Sequence, residues 1–324
     1  VEKLLNVKHC IATPNCTLAL FMCLKVLGIG HKDEVIIPNL TFPATANAAL
    51  MTGAKVVLAD INSETLNIDT HNLLKKITKK TKAIIPVHVS GRHCEVDIIN
   101  KIAKKNDIYV IEDAAEAFFS FYKKKYLGTF GDLGCFSLSP NKIITSGQGG
   151  LIVTNSNTLS KKLRLYKNQG RFGLPSGGDD DYISTGGNFK LSNISSGLAL
   201  SEIKSLTKRS RRLKKNYEIY RKYLHNVKQI KLFPFKTDKN EVPLWTDALC
   251  ENRDELFNYL KSMNIHCRKF WKPLSDCKIY SKQKIGDFKI SNNYKNKLLW
   301  LPSSFLLNDK DIIKFSKTII SFYN

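Results

Sequence analysis

No apolar run in this 324-residue chain approaches the roughly 20 residues needed to cross a bilayer. Its first residues, VEKLLNVKHC, lack the apolar core of a secretory leader. Both absences point to a soluble, cytosolic (cytoplasmic) protein with no membrane partner. The eight cysteines, at positions 10, 16, 23, 94, 135, 250, 267 and 277, form no CxxC pair and no Cys/His cluster at zinc spacing. They read as reduced thiols, mostly buried, and no metal is expected. No internal repeat or low-complexity tail divides the chain. Acidic residues are scarce: 28 Asp and Glu stand against 51 Lys and Arg, a formal charge of +23. The cations cluster in KKITKKTK, IAKKND and KRSRRLKK, where a solvated helix face or turn is the ordinary reading. No nucleic-acid motif or aromatic-basic interleaving accompanies them, so nucleic acid is disfavoured as the main partner. The same positive field would draw in a small anionic substrate.

What is present is an alternation. Short β-branched runs (KHCIAT, EVIIP, KVVLA, KAIIPV, IYVIE, LGCFSL and GLIVT) are separated by helical stretches at Thr17 to Leu27, Pro43 to Met51, Thr70 to Ile77 and Val96 to Asn106, with another following at Leu159 to Lys167. This pattern predicts an α/β fold: one wide, mostly parallel sheet of seven strands with helices on both faces. The Gly- and Asp-rich stretch FGLPSGGDDDYISTGGN breaks the alternation and predicts a long loop of functional interest. From Leu191 the spacing predicts one long helix or a kinked pair that bridges two domains. Beyond it, VPLWTDALC, RDELFNYLKSMN and DKDIIKFSKTIISFY predict a small α+β unit. The expected division is near residue 205, with a large domain over 1–205 and a small C-terminal one over 206–324.

Asp113 closes the apolar run IYVIED, and Lys142 follows in CFSLSPNKIITSGQGG. A carboxylate at the end of a buried strand and a lysine among Ser, Thr and Gly is what pyridoxal 5'-phosphate (PLP) requires. The ring of that cofactor works as an electron sink while its nitrogen stays protonated, and an adjacent buried carboxylate favours the charge. Its aldehyde is held by a lysine amine that must be neutral to attack. Ligands of open α/β sheets bind beyond the carboxyl ends of strands, and other candidate groups lie at such ends. Asn15, Cys16 and Thr17 open a helix whose amides could cradle a phosphate, though an ordinary N-cap reads equally well. Phe42, in NLTFPATAN, could stack on a flat cofactor or be core. Ser137 lies five residues before Lys142.

The order of these motifs resembles the nucleotide-sugar aminotransferases of the DegT and StrS type, PLP enzymes of fold type I. The resemblance runs through NCTLAL, IIPNLTFPATANA, GAKVVLADINSETLNID, PVHVSG, VIEDAAEA, FSLSPNKIITSGQGG, GGNFKLSNISSGLAL, RDELFNYLKSMNI and WKPL. It implies that Lys142 is joined covalently to the cofactor and that Asp113 pairs with its ring nitrogen. Ser137 and Thr17, with Cys16 beside them, would hold the phosphate, Phe42 would stack on the ring, and Glu116 would face the ring hydroxyl. Asn188, in GGNFK, matches an asparagine that reaches the neighbouring subunit's cofactor, which implies a homodimer with shared sites. The implied reaction moves an amino group, with glutamate as donor, to a keto group of a nucleotide-linked deoxysugar, a step of amino-sugar and polysaccharide biosynthesis. Lysine at position 142, where the dehydratase branch carries histidine, favours transamination.

Several positions depart from the family pattern. Glu116 stands where Gln or His is common, and a carboxylate there would repel a phenolate-like oxygen unless protonated. Gln148 replaces a usual Glu, Cys16 a usual Gly, and Ser275 a frequent His. Relatives also carry a further stretch ahead of VEKLLNVKHC that contributes to the sugar-side wall and dimer contacts. These departures keep a second expectation open: an impaired family member that binds a sugar nucleotide or a partner without turnover. Lys190 and Arg171 are the candidates for binding the substrate diphosphate.

Overall fold

The computed structural model describes residues 1–172, 180–283 and 286–324. Part of the Gly- and Asp-rich stretch singled out above, residues 173–179, therefore lies outside the described residues.

After a short helical turn at Glu2–Leu5, the seven expected strands form one sheet: β1 (His9–Thr13), β2 (Glu34–Pro38), β3 (Lys55–Ala59), β4 (Thr81–Ile84), β5 (Tyr109–Asp113), β6 (Leu133–Ser137) and β7 (Gly150–Thr154). Their order across the sheet is β1-β7-β6-β5-β4-β2-β3. Pairs within β3, β2, β4, β5 and β6 are parallel, whereas β7 runs antiparallel to both β6 and β1. Every residue of β2, β6 and β7 is buried, as expected of strands covered on both faces. Strand β4 ends at Ile84, shorter than KAIIPV, because Pro86 offers no N–H to continue a ladder.

Helices α1 (Cys16–Val26), α2 (Pro43–Met51), α3 (Thr70–Lys76), α4 (Val96–Lys105) and α5 (Asn157–Tyr166) follow the expected segments within a residue or two. Their starts have local causes. The side chains of Asn15, Asp69 and Ser156 accept from the amides of Leu18, Asn72 and Leu159, and Pro43 occupies the first turn of α2. Helix α1 buries Ala19, Leu20, Met22, Cys23 and Leu24 in a cluster with Val35, Ile111, Cys135 and Ile152 of the sheet.

The stretch from Leu191 resolves into two helices, α6 (Asn193–Ile203) and α7 (Leu206–Leu224). Leu206 and Leu213 of α7 pack in a cluster with Phe136 and Leu151 of the large sheet. One end further along, Tyr220 and Leu224 pack with Ala248, Leu299 and Ile312 of a second sheet and its helices. That sheet is antiparallel, ordered β8 (Ile230–Leu232), β9 (Thr246–Cys250), β11 (Leu298–Leu301), β10 (Arg268–Lys269), with α8 (Arg253–Ser262) and α9 (Asp309–Tyr323). A further cluster, including Leu40, Val87, Phe233, Phe270 and Trp300, joins this sheet to the loops at the carboxyl edge of the first. At about 25 cal/mol per Å², each such fully buried large side chain contributes roughly 2 kcal/mol. The joint therefore holds the second sheet against the loops where ligands of such folds bind.

Candidate active site

Three features of the large sheet build one wall of a cavity of about 360 Å³. The chain leaves β1, passes Asn15 and enters α1, so the amides of Cys16 and Thr17 open a helix at the cavity edge. An anion is stabilised there by the helix dipole and unpaired N–H groups. The approach requires Gly150 at the start of β7: a Cβ there would lie 2.5 Å from the Asn15 carbonyl carbon and 2.7 Å from the Cys16 nitrogen. On the neighbouring strand, Ser137 ends β6 with its hydroxyl 3.0 Å from that of Ser139, and both line the cavity beside Thr17.

Asp113 is the last residue of β5, and the next strand over carries Ser137. Its carboxylate is buried and accepts two hydrogen bonds, from the Thr45 hydroxyl at 2.8 Å and the Ala115 amide at 3.1 Å. Burial pushes this carboxyl above the usual carboxylate range despite those bonds and the nearby Lys142 charge. A buried acid raised this way gains from a cationic partner in the cavity. Lys142, with only 12% of its side chain exposed, enters the same cavity and lies 3.4 Å from Glu116. Glu116 is itself buried. Its Oε1 also accepts from the Trp245 indole at 3.0 Å, and its Oε2 from the Ser90 amide at 2.9 Å.

The opposite wall is aromatic. Trp245, Trp271 and Trp300, the three tryptophans of the chain, all line the cavity with Phe42. Trp245 stacks on Trp300 at 5.4 Å, and Trp271 meets Trp300 edge-on at 5.0 Å and Phe42 at 6.4 Å. Arg268 and Lys269 of β10 stand at the rim. The arrangement offers anion binding at one end, a nucleophilic amine and a buried acid in the middle, and flat faces with positive charge at the other.

Residues 1–319 match the DegT/DnrJ/EryC1/StrS aminotransferase family. This chain belongs to that family. It is 34% identical over 324 residues to the GDP-perosamine synthase of Escherichia coli O157:H7, covering 98% of this chain and 87% of the relative. Among solved structures it superposes on a family aminotransferase from Brucella abortus with a TM-score of 0.93 at 26% identity, over 100% of this chain and 88% of the other. It likewise superposes on DesI, solved in the presence of its TDP-sugar product, with a TM-score of 0.90 at 26% identity, over 98% and 81% of the two chains. Aminotransferases of this family use PLP, and the chain is an enzyme of that kind. Its residues fit the cofactor: Gly150 leaves room for the Asn15–Thr17 cradle, and a buried acid and a lysine amine share one cavity with it.

Of the residues singled out in the sequence, Cys16, Thr17, Phe42, Asp113, Glu116, Ser137 and Lys142 all line the cavity. Asn188 does not; it is exposed, in an isolated bridge to Asn168. Lys190 and Arg171 also lie away from the cavity lining and contact Asn168 and Asp180. The departures find local reasons. Glu116 faces donors, from Trp245, Ser90 and Lys142, rather than standing unpaired. Ser275 is buried in a reciprocal pair with Asn39, its amide to Oδ1 at 2.9 Å and Nδ2 to its hydroxyl at 3.1 Å. The Gln148 side chain is exposed and outside the cavity lining, and its carbonyl accepts from the Ser146 hydroxyl. Cys16 is buried, and burial first of all pushes its thiol well up, so it stays an inert neutral group. Thr45, Ser139 and the tryptophan wall escaped the sequence reading. For the tryptophans the available signal was rarity, since the chain has three and each interrupts an otherwise strand-like or loop segment.

All eight cysteines are free, five of them buried. No helix among the described residues is long and apolar enough to cross a membrane, and no metal-binding cluster of His, Cys, Asp or Glu occurs among them.

Proposed function

We propose that this nucleotide-sugar aminotransferase takes an amino group from glutamate and delivers it to a keto group of a nucleotide-linked deoxysugar. The observation that carries the reading is the meeting of Lys142 and the buried Asp113 in one cavity with a helix N-terminus at its edge. When bound, PLP would supply an electrophilic aldehyde and an electron-accepting ring for amino transfer. Asp113 holds the ring nitrogen's proton, a role its own poor solvation favours. The amides of Cys16 and Thr17 and the hydroxyls of Thr17 and Ser137 would hold the phosphate, and Phe42 would cover the ring. Lys142 would anchor the cofactor, and its Nζ would carry the proton that moves during the transfer. The same residue runs the shuttle in reverse when the sugar is aminated.

The aromatic wall supports a sugar nucleotide at the far end, since Trp271 offers an apolar face to a hexose or base. Arg268, exposed at the rim, is suited to the diphosphate. The names of relatives agree, a GDP-perosamine synthase and a protein seen with a TDP-sugar product. We also propose that two copies share their sites, with Asn188 reaching the other copy's cofactor. Support comes from the exposed apolar side chains that flank it: Tyr182, Ile183, Ile194, Leu198 and Leu200. Helix α6 buries only Ala199 within its own chain, so its apolar surface calls for a cover.

The test is spectroscopic. Purified protein given PLP should develop a visible band that borohydride traps and that Lys142→Ala never shows. Glutamate should bleach the band and release 2-oxoglutarate. A wild type that stays colourless with PLP, or a band indifferent to glutamate, would sink the reading.

A further inference from the structure

Lys142 has two carboxylates within its cavity and sides with one of them. Asp113 has both oxygens engaged, by Thr45 and Ala115. The ammonium lies instead 3.4 Å from Glu116 Oε1, the one ion pair recorded for Lys142 among the described residues. That separation exceeds the 2.7–2.9 Å of a strong charge-assisted bond, so the amine is held and yet free to leave. Glu116 cannot swing away, because the Trp245 indole fixes Oε1 and the Ser90 amide fixes Oε2.

Those two donors come from outside the carboxylate's own segment and are themselves locked. Ser90 sits in a left-handed conformation at φ 56°, and its hydroxyl donates to Asp247 Oδ1 at 2.7 Å. A non-glycine residue stays in that region only where its surroundings insist. Asp247, on β9, also accepts from the Trp300 indole at 2.8 Å and from Arg92 at 2.7 Å. Trp300 in turn stacks on Trp245. A continuous chain of polar contacts thus runs from Lys142 through Glu116 and Ser90 to the second sheet.

We propose that Glu116 is the resting partner of the free Lys142 ammonium, and that Trp245 is the positioning residue that aims the carboxylate at it. This rests on the reading of Lys142 as the cofactor lysine and adds where its amine waits when not joined to the cofactor. The second sheet, through Trp245, sets the reach of the lysine for the reacting carbons.

The experiment uses the protein without cofactor. A small N-hydroxysuccinimide acetate reagent acylates only neutral amines, and peptide mass spectrometry reads the rate at Lys142 against exposed Lys317 as an internal reference. Glu116→Gln should accelerate Lys142 acylation about tenfold, and Trp245→Phe, which keeps a ring but loses the donor, about threefold. Should Glu116→Gln fail to fold, Trp245→Phe alone decides. Wild-type rates in the folded variants would overturn the proposal, and acceleration in Glu116→Gln alone would overturn the role of Trp245. A wild type that takes up no PLP sinks the proposed function while leaving these rates to judge the pairing.

Discussion

The two walls of the cavity are built by different means. On the large-sheet side, each functional group sits within a few residues of a strand end: Asn15 to Thr17 after β1, Asp113 at the end of β5, and Ser137 to Lys142 from the end of β6. On the other side, the groups come from widely separated segments that meet only because antiparallel register sets Asp247 and Arg268 each opposite Trp300. Parallel strands bring their carboxyl ends to one edge as a matter of topology, so local motifs suffice there. The second wall depends on how one sheet docks on another. We read the first as the cofactor's wall and the second as the substrate's.

The sharpest break of that division is at Lys142. Lys142→Ala should lower the overall transfer by at least about 10⁴-fold, measured by 2-oxoglutarate release and by amino-sugar formation alike. Loss in one half-reaction only would contradict a shared shuttle.

Asp113→Asn should cost on the order of 10²–10³-fold in both halves. Its effect on stability has the opposite sign. Burial raises the Asp113 carboxyl, so the folded chain binds that proton more tightly than the unfolded chain does. The stability it contributes is whole below the ordinary carboxylate value and is lost as pH rises through the raised one. Without cofactor, the asparagine variant should therefore melt higher than wild type near neutrality, with the gap closing in acid. Thermal melts across pH check this; a lower melting point at neutral pH would show that the carboxylate is not strained by its burial.

Trp271→Ala tests the other wall. It should raise KM for the nucleotide sugar about tenfold and leave the glutamate half-reaction within about twofold. Equal losses in both halves would erase the distinction between the walls. The smallest effect is expected from Gln148→Glu, less than about 0.5 kcal/mol in stability and little change in rate, because the side chain is exposed and off the cavity. A large gain in activity would mean that position 148 meets a partner the single chain does not provide.

The sequence was most legible where one short segment carries both the structural signal and the chemistry. The seven strands of the large sheet read correctly because apolar, β-branched runs between helices leave few alternatives, and Asp113 and Lys142 could be named from their place in those runs. Thr45 could not. Its hydroxyl meets Asp113 because β2 and β5 flank β4 in the sheet, an adjacency that strand order fixes and local pattern does not. Glu116 was visible as a residue, but its partners were not. Taken alone it stood as an unsupported carboxylate, whereas Trp245 and Ser90, distant in sequence, supply its donors.

By itself, then, the order of residues determined the elements, the mostly parallel sheet and the placing of an acid, Asp113, and an amine, Lys142, beside strand ends. Those follow from periodicity and from functional groups lying next to strand ends, both of which are short-range properties of a chain. Only the tertiary structure decided which carboxylate Lys142 pairs with and that three distant tryptophans form one wall. Hydrogen bonds act over about 3 Å in space, and which groups come that close is settled by the docking of the two sheets.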